Sequence, residues 1–273
     1  MLGAIAGDII GSVHEFIGTK TKDFPLFTPR SVFTDDTVLT VALADALLSG
    51  RDYGAVMKEY YRRYPGAGYG GMFHRWASSA ESAPYHSFGN GAAMRISPVA
   101  QWYGSLDDVL AAAQAFTAVT HDHPEGIKGA QAAAAAQFLA RTGSSKDEIR
   151  DYVQRTFGYD LSFTCDEIRP TYHFDVTCQG TVPQALVAFF DSTDYEDAVR
   201  NAISLGGDAD TLACITGGVA EAFHGGVPDS IRARALELLD SHLRGTVEEF
   251  AIRASKGEAG WQGSPITPVG KGG

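Results

Sequence analysis

Two short clusters of aspartate and threonine carry most of the chemical information in this sequence. The first reads Thr34-Asp35-Asp36-Thr37 and the second reads Asp208-Ala209-Asp210-Thr211, and each opens an apolar stretch with helical periodicity. A buried carboxylate without a partner charge is costly, so clusters of this kind usually hold cations. Ligands that offer only oxygen suit hard ions such as Mg²⁺, Mn²⁺ or Ca²⁺ better than zinc or copper.

A plain helix N-terminus would also account for the first cluster. Thr34 would cap the helix, and Asp35 and Asp36 would lie in its first turn, where the helix dipole favours negative charge. The second cluster is harder to explain in this way, because a cap needs one aspartate and here two follow the pair Gly206-Gly207. If the two helix starts converge, they predict a site for one or two metal ions about 3.5–4 Å apart.

Glu15 is a third candidate for this site. It follows a predicted helix from Leu2 to His14 that carries a glycine at every fourth position from Gly3 to Gly11, which predicts close packing of another helix. If the helix continued, Asp8 and Glu15 would lie seven residues apart on nearly the same face. A carboxylate in this position is either a solvated terminus or a member of the site.

Helical periodicity dominates the chain and predicts an all-α, single-domain, multi-helix bundle. The segment from Asp35 to Ser49 is almost wholly apolar and stops at Gly50, which is typical of a helix buried at the centre of a bundle. Only Phe163–Val176 is ambiguous between helix and strand. We expect one domain over residues 1–255 and a Gly-rich tail over residues 256–273. The other predicted helices are Leu106–Val119, Pro124–Arg141, Lys146–Phe157, Val182–Phe190, Tyr195–Ser204, Thr211–Phe223, Ser230–Leu243 and Val247–Ala254.

The composition narrows the class of partner. The chain has 273 residues, 44% of them hydrophobic, and a net charge of −11, which argues against binding to a nucleic-acid backbone or an anionic membrane. No segment approaches the roughly 20 apolar residues of a membrane span, and the N-terminus lacks the basic region of a signal peptide. We therefore expect a cytoplasmic protein, a monomer, with Cys165, Cys178 and Cys214 as free thiols.

Two further segments could bind an anion in this acidic chain. The glycines of Gly89-Asn90-Gly91 would let backbone N–H groups approach a pyrophosphate, although for this segment alone a plain loop or helix start is the preferred interpretation. In Thr120-His121-Asp122-His123, the string of histidine and aspartate is a weak zinc pattern because no third ligand accompanies it. The simplest interpretation is a pair of loop histidines after a helix.

Five segments together resemble the ADP-ribosylglycohydrolases, the family of the dinitrogenase-reductase-activating glycohydrolase and the ADP-ribosyl-acceptor hydrolases. They occur in the family's order and span about residues 1–225. No residue of the metal motifs departs from the family pattern, which favours an active member. The segments are Gly7-Asp8-Ile9-Ile10-Gly11-Ser12-Val13-His14-Glu15, Thr34-Asp35-Asp36-Thr37, Gly89-Asn90-Gly91-Ala92-Ala93-Met94-Arg95, Thr120-His121 and Gly207-Asp208-Ala209-Asp210-Thr211.

The resemblance implies an orthogonal all-α bundle with a binuclear centre of two Mg²⁺ or Mn²⁺ ions in a central cleft. Glu15 would fall on the family's catalytic glutamate, with Asp36 and Asp210 beside it, and His121 would donate a hydrogen bond to the phosphates of the ligand. The implied metal ligands are Thr34, Asp35, Asp36, Asp208, Asp210 and Thr211. The implied lining of the ADP-ribose cleft is Ser87, Phe88, Gly89, Asn90 and Gly91.

The function implied is metal-dependent hydrolysis of the glycosidic bond between ADP-ribose and an acceptor. The acceptor stays open between a protein side chain, such as arginine or serine, and a small conjugate, such as O-acetyl-ADP-ribose. Two alternatives come from other classes. One is a protein that binds ADP-ribose without cleaving it, and the other is a metal-dependent phosphohydrolase that cuts the pyrophosphate.

Overall fold

The computed structural model describes residues 1–256, and the tail predicted over residues 256–273 lies almost wholly outside them. Within the described residues the chain is helical and has no β-strand, which confirms the all-α prediction. The helices are Leu2–Gly11 (α1), Asp35–Ser49 (α2), Tyr53–Arg63 (α3), Gly71–Ser78 (α4), Gly91–Met94 (α5), Ser97–Trp102 (α6), Leu106–Ala118 (α7), Pro124–Arg141 (α8), Lys146–Phe157 (α9), Cys165–Ile168 (α10), Cys178–Phe190 (α11), Tyr195–Ser204 (α12), Ala209–His224 (α13), Asp229–Leu238 (α14) and Ser241–Ser255 (α15).

The closest packing in the molecule joins α1 to α13. The glycine stripe of α1 lies directly on the α13 backbone, and a Cβ on Gly7 would collide with the carbonyl of Ala213. A Cβ on Gly11 would lie only 2.5 Å from the Cα of Asp210. Because no side chain separates the two backbones, the start of α13 has a fixed position relative to the end of α1.

Helix α2 is buried on most sides, as its apolar sequence predicts. It packs against α1, α3 and α15, and its C-terminus is closed by Gly50 with a φ of 67°. All ten residues from Val38 to Leu47 are buried except Asp45, which is half-buried. Helix α8, with its alanine run, fills the space between α7, α11 and α13. The short side chains of this run let four helices approach one another closely.

Several predicted boundaries were wrong. Helix α1 ends at Gly11 rather than His14, because the chain turns at Ser12, whose hydroxyl donates to the carbonyl of Ile9. The segment predicted as Ser230–Leu243 is broken at Asp240, whose carboxylate accepts hydrogen bonds from two backbone N–H groups and starts α15. In the ambiguous segment Phe163–Val176, the structure has the short helix α10 followed by an irregular loop.

The three cysteines are free and buried, as predicted. Among residues 1–256, none of the helices combines the length and the apolar character that crossing a bilayer requires.

Candidate active site

The starts of α2 and α13 meet at the base of one cleft of about 440 Å³. The Thr211 hydroxyl of α13 lies 3.3 Å from Oδ2 of Asp36 on α2, which joins the two helix starts directly. Carboxylate oxygens of Glu15, Asp208 and Asp210 lie within 4.8 Å of one another. The residues that line the cleft are Glu15, Asp35, Asp36, Leu39, Gly68, Gly70, Gly71, Met72, Phe73, Tyr85, His86, Ser87, Phe88, Gly89, Asn90, Gly91, Met94, Arg95, His121, Phe174, Val176, Thr177, Asp208, Asp210 and Thr211.

Two glycines shape the turn that leads into α13. Gly206 has a φ of 68°, and a Cβ there would lie 2.9 Å from the carbonyl oxygen of Thr19. A Cβ on Gly207 would collide with the ring of Tyr172. As predicted, the glycine pair allows close approach, here of the Thr19 carbonyl and the Tyr172 ring. The turn then leads directly to Asp208 and Asp210 in the cleft.

The aspartates at the base of the cleft crowd one another in a water-poor environment. Burial, together with the carboxylates of Asp8 and Asp208, raises the pKa of Asp35 to about 8. Burial and neighbouring carboxylates also raise the pKa of Asp36 and of Asp210 well above the usual range. Oδ1 of Asp36 is buried and has no hydrogen-bond partner. Negative charge at this position is therefore unfavourable unless a cation accompanies it.

A divalent cation fits this set of donors. The site offers carboxylate and hydroxyl oxygens only, which are the ligands of Mg²⁺, Mn²⁺ and Ca²⁺. The unpartnered Oδ1 of Asp36 is a coordination position that no protein donor fills. In the string His121-Asp122-His123, Nδ1 of His123 accepts from the N–H of Glu125 and caps α8, as expected for a loop histidine.

Glu15 lies beside the aspartates, but not for the reason that the sequence suggested. Because α1 ends at Gly11, Glu15 stands in the turn that follows the helix, and it shares no helix face with Asp8. Burial, together with the carboxylates of Asp208 and Asp8, raises the pKa of this half-buried side chain to about 7. A group with such a pKa can both take and give a proton near neutrality.

A loop over residues 87–91 forms one wall of the cleft. It pairs with the segment before α11, since Asn90 N–H donates to the Val176 carbonyl at 2.7 Å. The amide of Asn90 donates to Oδ2 of Asp208, also at 2.7 Å, and so ties this wall to the start of α13. The N–H of Gly89 is held by the Ser87 hydroxyl. Two of the three N–H groups expected to form an anion nest are thus engaged within the protein.

His121 faces the same loop, and its surroundings define its protonation state. The guanidinium of Arg95 donates to Nδ1 of His121 at 3.1 Å, and the Thr120 hydroxyl lies 2.8 Å from the same atom. Burial and the charge of Arg95 lower the pKa of His121 well below its usual value. The imidazole is therefore neutral with its proton on Nε2, and this nitrogen lies against Gly89 and Gly91. Arg95 closes the Gly89–Arg95 segment of the family motif, where its sequence context suggests only a structural role; here it orients His121.

Of the predicted site residues, all but one line the cleft. The exception is Thr34, whose hydroxyl donates to Asp8 and accepts from the N–H of Asp36, so it caps α2 as the simpler interpretation expected. The walls are completed by residues that sequence reasoning did not identify, namely Gly68, Gly70, Gly71, Met72, Phe174 and Val176. Nothing in the local pattern of these segments distinguishes them from surface loops.

Comparisons with known proteins agree with this geometry. The family model described as ADP-ribosylglycohydrolase matches residues 1–263, so the chain belongs to this family of enzymes. ADP-ribosylhydrolase ARH3 from Homo sapiens is 24% identical, over 84% of this chain and 86% of that protein. ADP-ribosylarginine hydrolase Tri1 from Pseudomonas putida (strain GB-1) is 24% identical, over 82% of this chain and 69% of that protein.

A solved structure has the same fold. The chain titled "ADP-ribosylglycohydrolase-related protein complex" superposes with a TM-score of 0.67, and the match covers 93% of this chain and 96% of that one. Its sequence identity is 24%, so the likeness is one of architecture.

Proposed function

We propose that this protein is a divalent-cation-dependent hydrolase that cleaves the glycosidic bond between ADP-ribose and an acceptor. The observation that carries the proposal is the pair of acidic helix starts at the base of the cleft, with Oδ1 of Asp36 buried and unpartnered. The substrate class is supported by relatives named for it, an ADP-ribosylhydrolase and an ADP-ribosylarginine hydrolase.

The cation ligands that we propose come from both helix starts. Asn90 holds Asp208 by donating to its Oδ2, which leaves Oδ1 of Asp208 for a cation. The Thr34 hydroxyl donates to Asp8 and accepts from the N–H of Asp36, which leaves it one lone pair, so we include it in the proposed set. Two bound Mg²⁺ or Mn²⁺ ions would polarise the ribose hydroxyls and lower the pKa of the attacking water. The proposed ligands are Thr34, Asp35, Asp36, Asp208, Asp210 and Thr211.

Glu15 is the proposed proton carrier. It lines the cleft beside Asp208 and Asp210, where a water that approaches the anomeric carbon from the carboxylate side would be within its reach. A pKa of about 7 lets Glu15 orient such a water and accept its proton. As in other glycosyl hydrolyses, the transition state is expected to resemble an oxocarbenium ion, which negative carboxylates near the ribose would stabilise.

The opposite part of the cleft suits the phosphates and the base. Nε2–H of His121 is a neutral donor that needs no counter-charge, and it lies against Gly91, whose N–H opens α5. We propose that these donors bind the pyrophosphate. Ser87, Gly89 and Asn90 shape the loop that carries them, and the exposed ring of Phe88 offers a stacking surface for the base.

Product analysis tests the proposal. Purified protein is incubated with ADP-ribosylated arginine, ADP-ribosylated serine peptide and O-acetyl-ADP-ribose, each with Mg²⁺ and with EDTA, and the products are separated by chromatography. We expect free ADP-ribose only when the cation is present, and the fastest substrate identifies the acceptor class. Release of AMP would instead indicate a pyrophosphate hydrolase, and binding of ADP-ribose without any product would indicate a binding protein.

A further inference from the structure

Asp8 lies close to the acidic helix starts but does not line the cleft. Its side chain is completely buried on α1, and both oxygens accept hydrogen bonds. Oδ1 accepts from the Thr34 hydroxyl at 2.6 Å, and Oδ2 accepts from the N–H groups of Thr34 and Thr37 at 3.0 and 3.1 Å. Oδ2 also accepts from the Thr37 hydroxyl.

These four bonds hold the backbone on both sides of Asp35 and Asp36. Thr34 and Thr37 flank the two aspartates, so fixing their N–H groups sets the direction in which the first turn of α2 presents its carboxylates. An aspartate oxygen of Asp8 does lie within 4.8 Å of oxygens of Asp36 and Asp210. Oδ2 of Asp8 already accepts from three donors, however, and Oδ1 accepts from the Thr34 hydroxyl, so both oxygens are directed at the start of α2. Because Asp8 does not line the cleft, this arrangement suits positioning rather than coordination.

The backbone of Asp8 is tied to the other helix start. Its neighbour Gly7 and the helix end at Gly11 both lie in direct contact with the α13 backbone, and Gly11 lies over Asp210. The side chain of Asp8 thus holds the start of α2, while its own helix holds the start of α13.

We infer that Asp8 is a positioning residue that fixes the separation of the two acidic helix starts and thereby the affinity of the site for divalent cations. This role rests on the proposed function, because it presupposes the cation site. Thr37 is its partner in the role, since the Thr37 hydroxyl is fully buried, donates to Asp8 and does not line the cleft.

Titration with Mn²⁺, followed by electron paramagnetic resonance, tests this role on four proteins: unmodified, Asp8→Asn, Thr37→Val and Thr37→Ser. Asp8→Asn removes the charge and places an amide NH₂ where either the Thr34 hydroxyl or the N–H groups of Thr34 and Thr37 now donate. Thr37→Val removes one hydroxyl at nearly constant volume. We expect the Mn²⁺ dissociation constant of Asp8→Asn and of Thr37→Val to be at least ten-fold higher, as is typical when a group that orients metal ligands is lost. Thr37→Ser keeps the hydroxyl and should stay within about two-fold of the unmodified protein.

Thermal unfolding in EDTA separates positioning from a purely structural role. Lower unfolding temperatures with unchanged Mn²⁺ affinity in the folded variants would overturn the inference. So would loss of binding in Asp8→Asn with normal binding in Thr37→Val, because that pattern describes a direct ligand. Should Asp8→Asn fail to fold, the Val and Ser variants of Thr37 still decide the matter. Absence of Mn²⁺ binding by the unmodified protein would overturn the cation site itself, and this role with it.

Discussion

The starts of α9 and α2 contain nearly the same residue types, but the pKa values of Glu148 at α9 and Asp36 at α2 shift in opposite directions. At α9, Ser145 accepts from the N–H of Glu148, and the Glu148 carboxylate accepts from the N–H of Ser145 at 2.8 Å, which forms a closed capping box. These bonds lower the pKa of Glu148, which is fully exposed. At α2, Thr34 caps in the same way, but Asp36 is 2% exposed and its pKa is raised well above the usual range.

The difference lies in the surroundings of each helix start. The carboxylates of Asp147 and Glu148 at the start of α9 are exposed, and that of Glu148 accepts from the N–H and the hydroxyl of Ser145. Those of α2 face the start of α13, which adds Asp208 and Asp210 to the same small volume. A hydroxyl residue followed by acidic residues thus forms a helix cap at the start of α9 and a candidate cation site at the start of α2. What separates them is whether a second acidic helix start converges on the first.

The largest predicted effect is loss of activity when a carboxylate of the converging pair is neutralised. Asp36→Asn and Asp210→Asn should each lower kcat/KM by at least about a hundred-fold, beyond the loss typical of residues that only orient ligands. The helical circular dichroism spectrum should not change. Asp147→Asn, in the first turn of α9, is the matched control and should leave activity within about two-fold. Near-normal turnover in both cleft variants would refute the cation-centred mechanism.

Glu15→Gln should have the next largest effect. Since Gln cannot accept a proton, we expect kcat to fall by about a hundred-fold, in the range for loss of a general base. Mn²⁺ affinity should change far less, because the proposed ligand set does not include Glu15. Steady-state kinetics and Mn²⁺ titration on the same preparation check this. Equal losses in metal affinity and in kcat would place Glu15 among the ligands.

The raised pKa values predict an unusual pH dependence of stability in the metal-free protein. The pKa of Asp35 rises from 3.8 to about 8, and that of Glu15 rises from 4.5 to about 7. At a pH between the lower and the higher value of each group, the folded state therefore binds more protons than the unfolded chain. Unfolding free energy should therefore fall as the pH rises from about 5 to 8. We expect the unfolding temperature in EDTA to drop by about 5 °C or more, and Mn²⁺ to remove most of that drop. An unfolding temperature in EDTA that stays constant or rises over this range would contradict the assignment.

The smallest predicted effect concerns the exposed helix start. Ser145→Ala removes one half of the capping box and should lower the unfolding free energy by about 1 kcal/mol. Chemical denaturation measures this change. Activity and Mn²⁺ affinity should not change, because α9 does not line the cleft. A measurable loss of Mn²⁺ affinity in this variant would show that the two helix starts are less different than the structure indicates.

Much of the cleft could be predicted from short-range patterns. The two acidic segments, the glycine stripe of α1 and the Gly206-Gly207 pair each signal a local property, namely a helix start or a close approach. The identity of the helix that packs on the stripe could not be predicted, because a single sequence contains no information on which elements meet. Only the family resemblance predicted that the two acidic helix starts meet. From local properties alone, these residues could be either helix caps or metal ligands.

The errors also have physical causes. The break at Asp240 was missed because its capping bonds interrupt a helical pattern that continues on both sides. The predicted end of α1 at His14 was wrong because the pattern of apolar residues gives no sign of the turn at Ser12. That turn depends on a hydrogen bond from the N–H of Val32 as well as on local ones. Asp8 looked like one more acidic residue, since its four donors come from residues 26 and 29 positions away.

The most direct test of the account is a Mn²⁺ titration of the metal-free protein, in parallel with Asp36→Asn, Asp210→Asn and the α9 control Asp147→Asn. We predict saturable binding of two ions per chain in the unmodified protein and in Asp147→Asn. In either cleft variant, binding should be lost or at least about a hundred-fold weaker. Equal Mn²⁺ affinity in all four proteins, or no saturable binding in any of them, would contradict the claim that converging helix starts make this cleft a cation site.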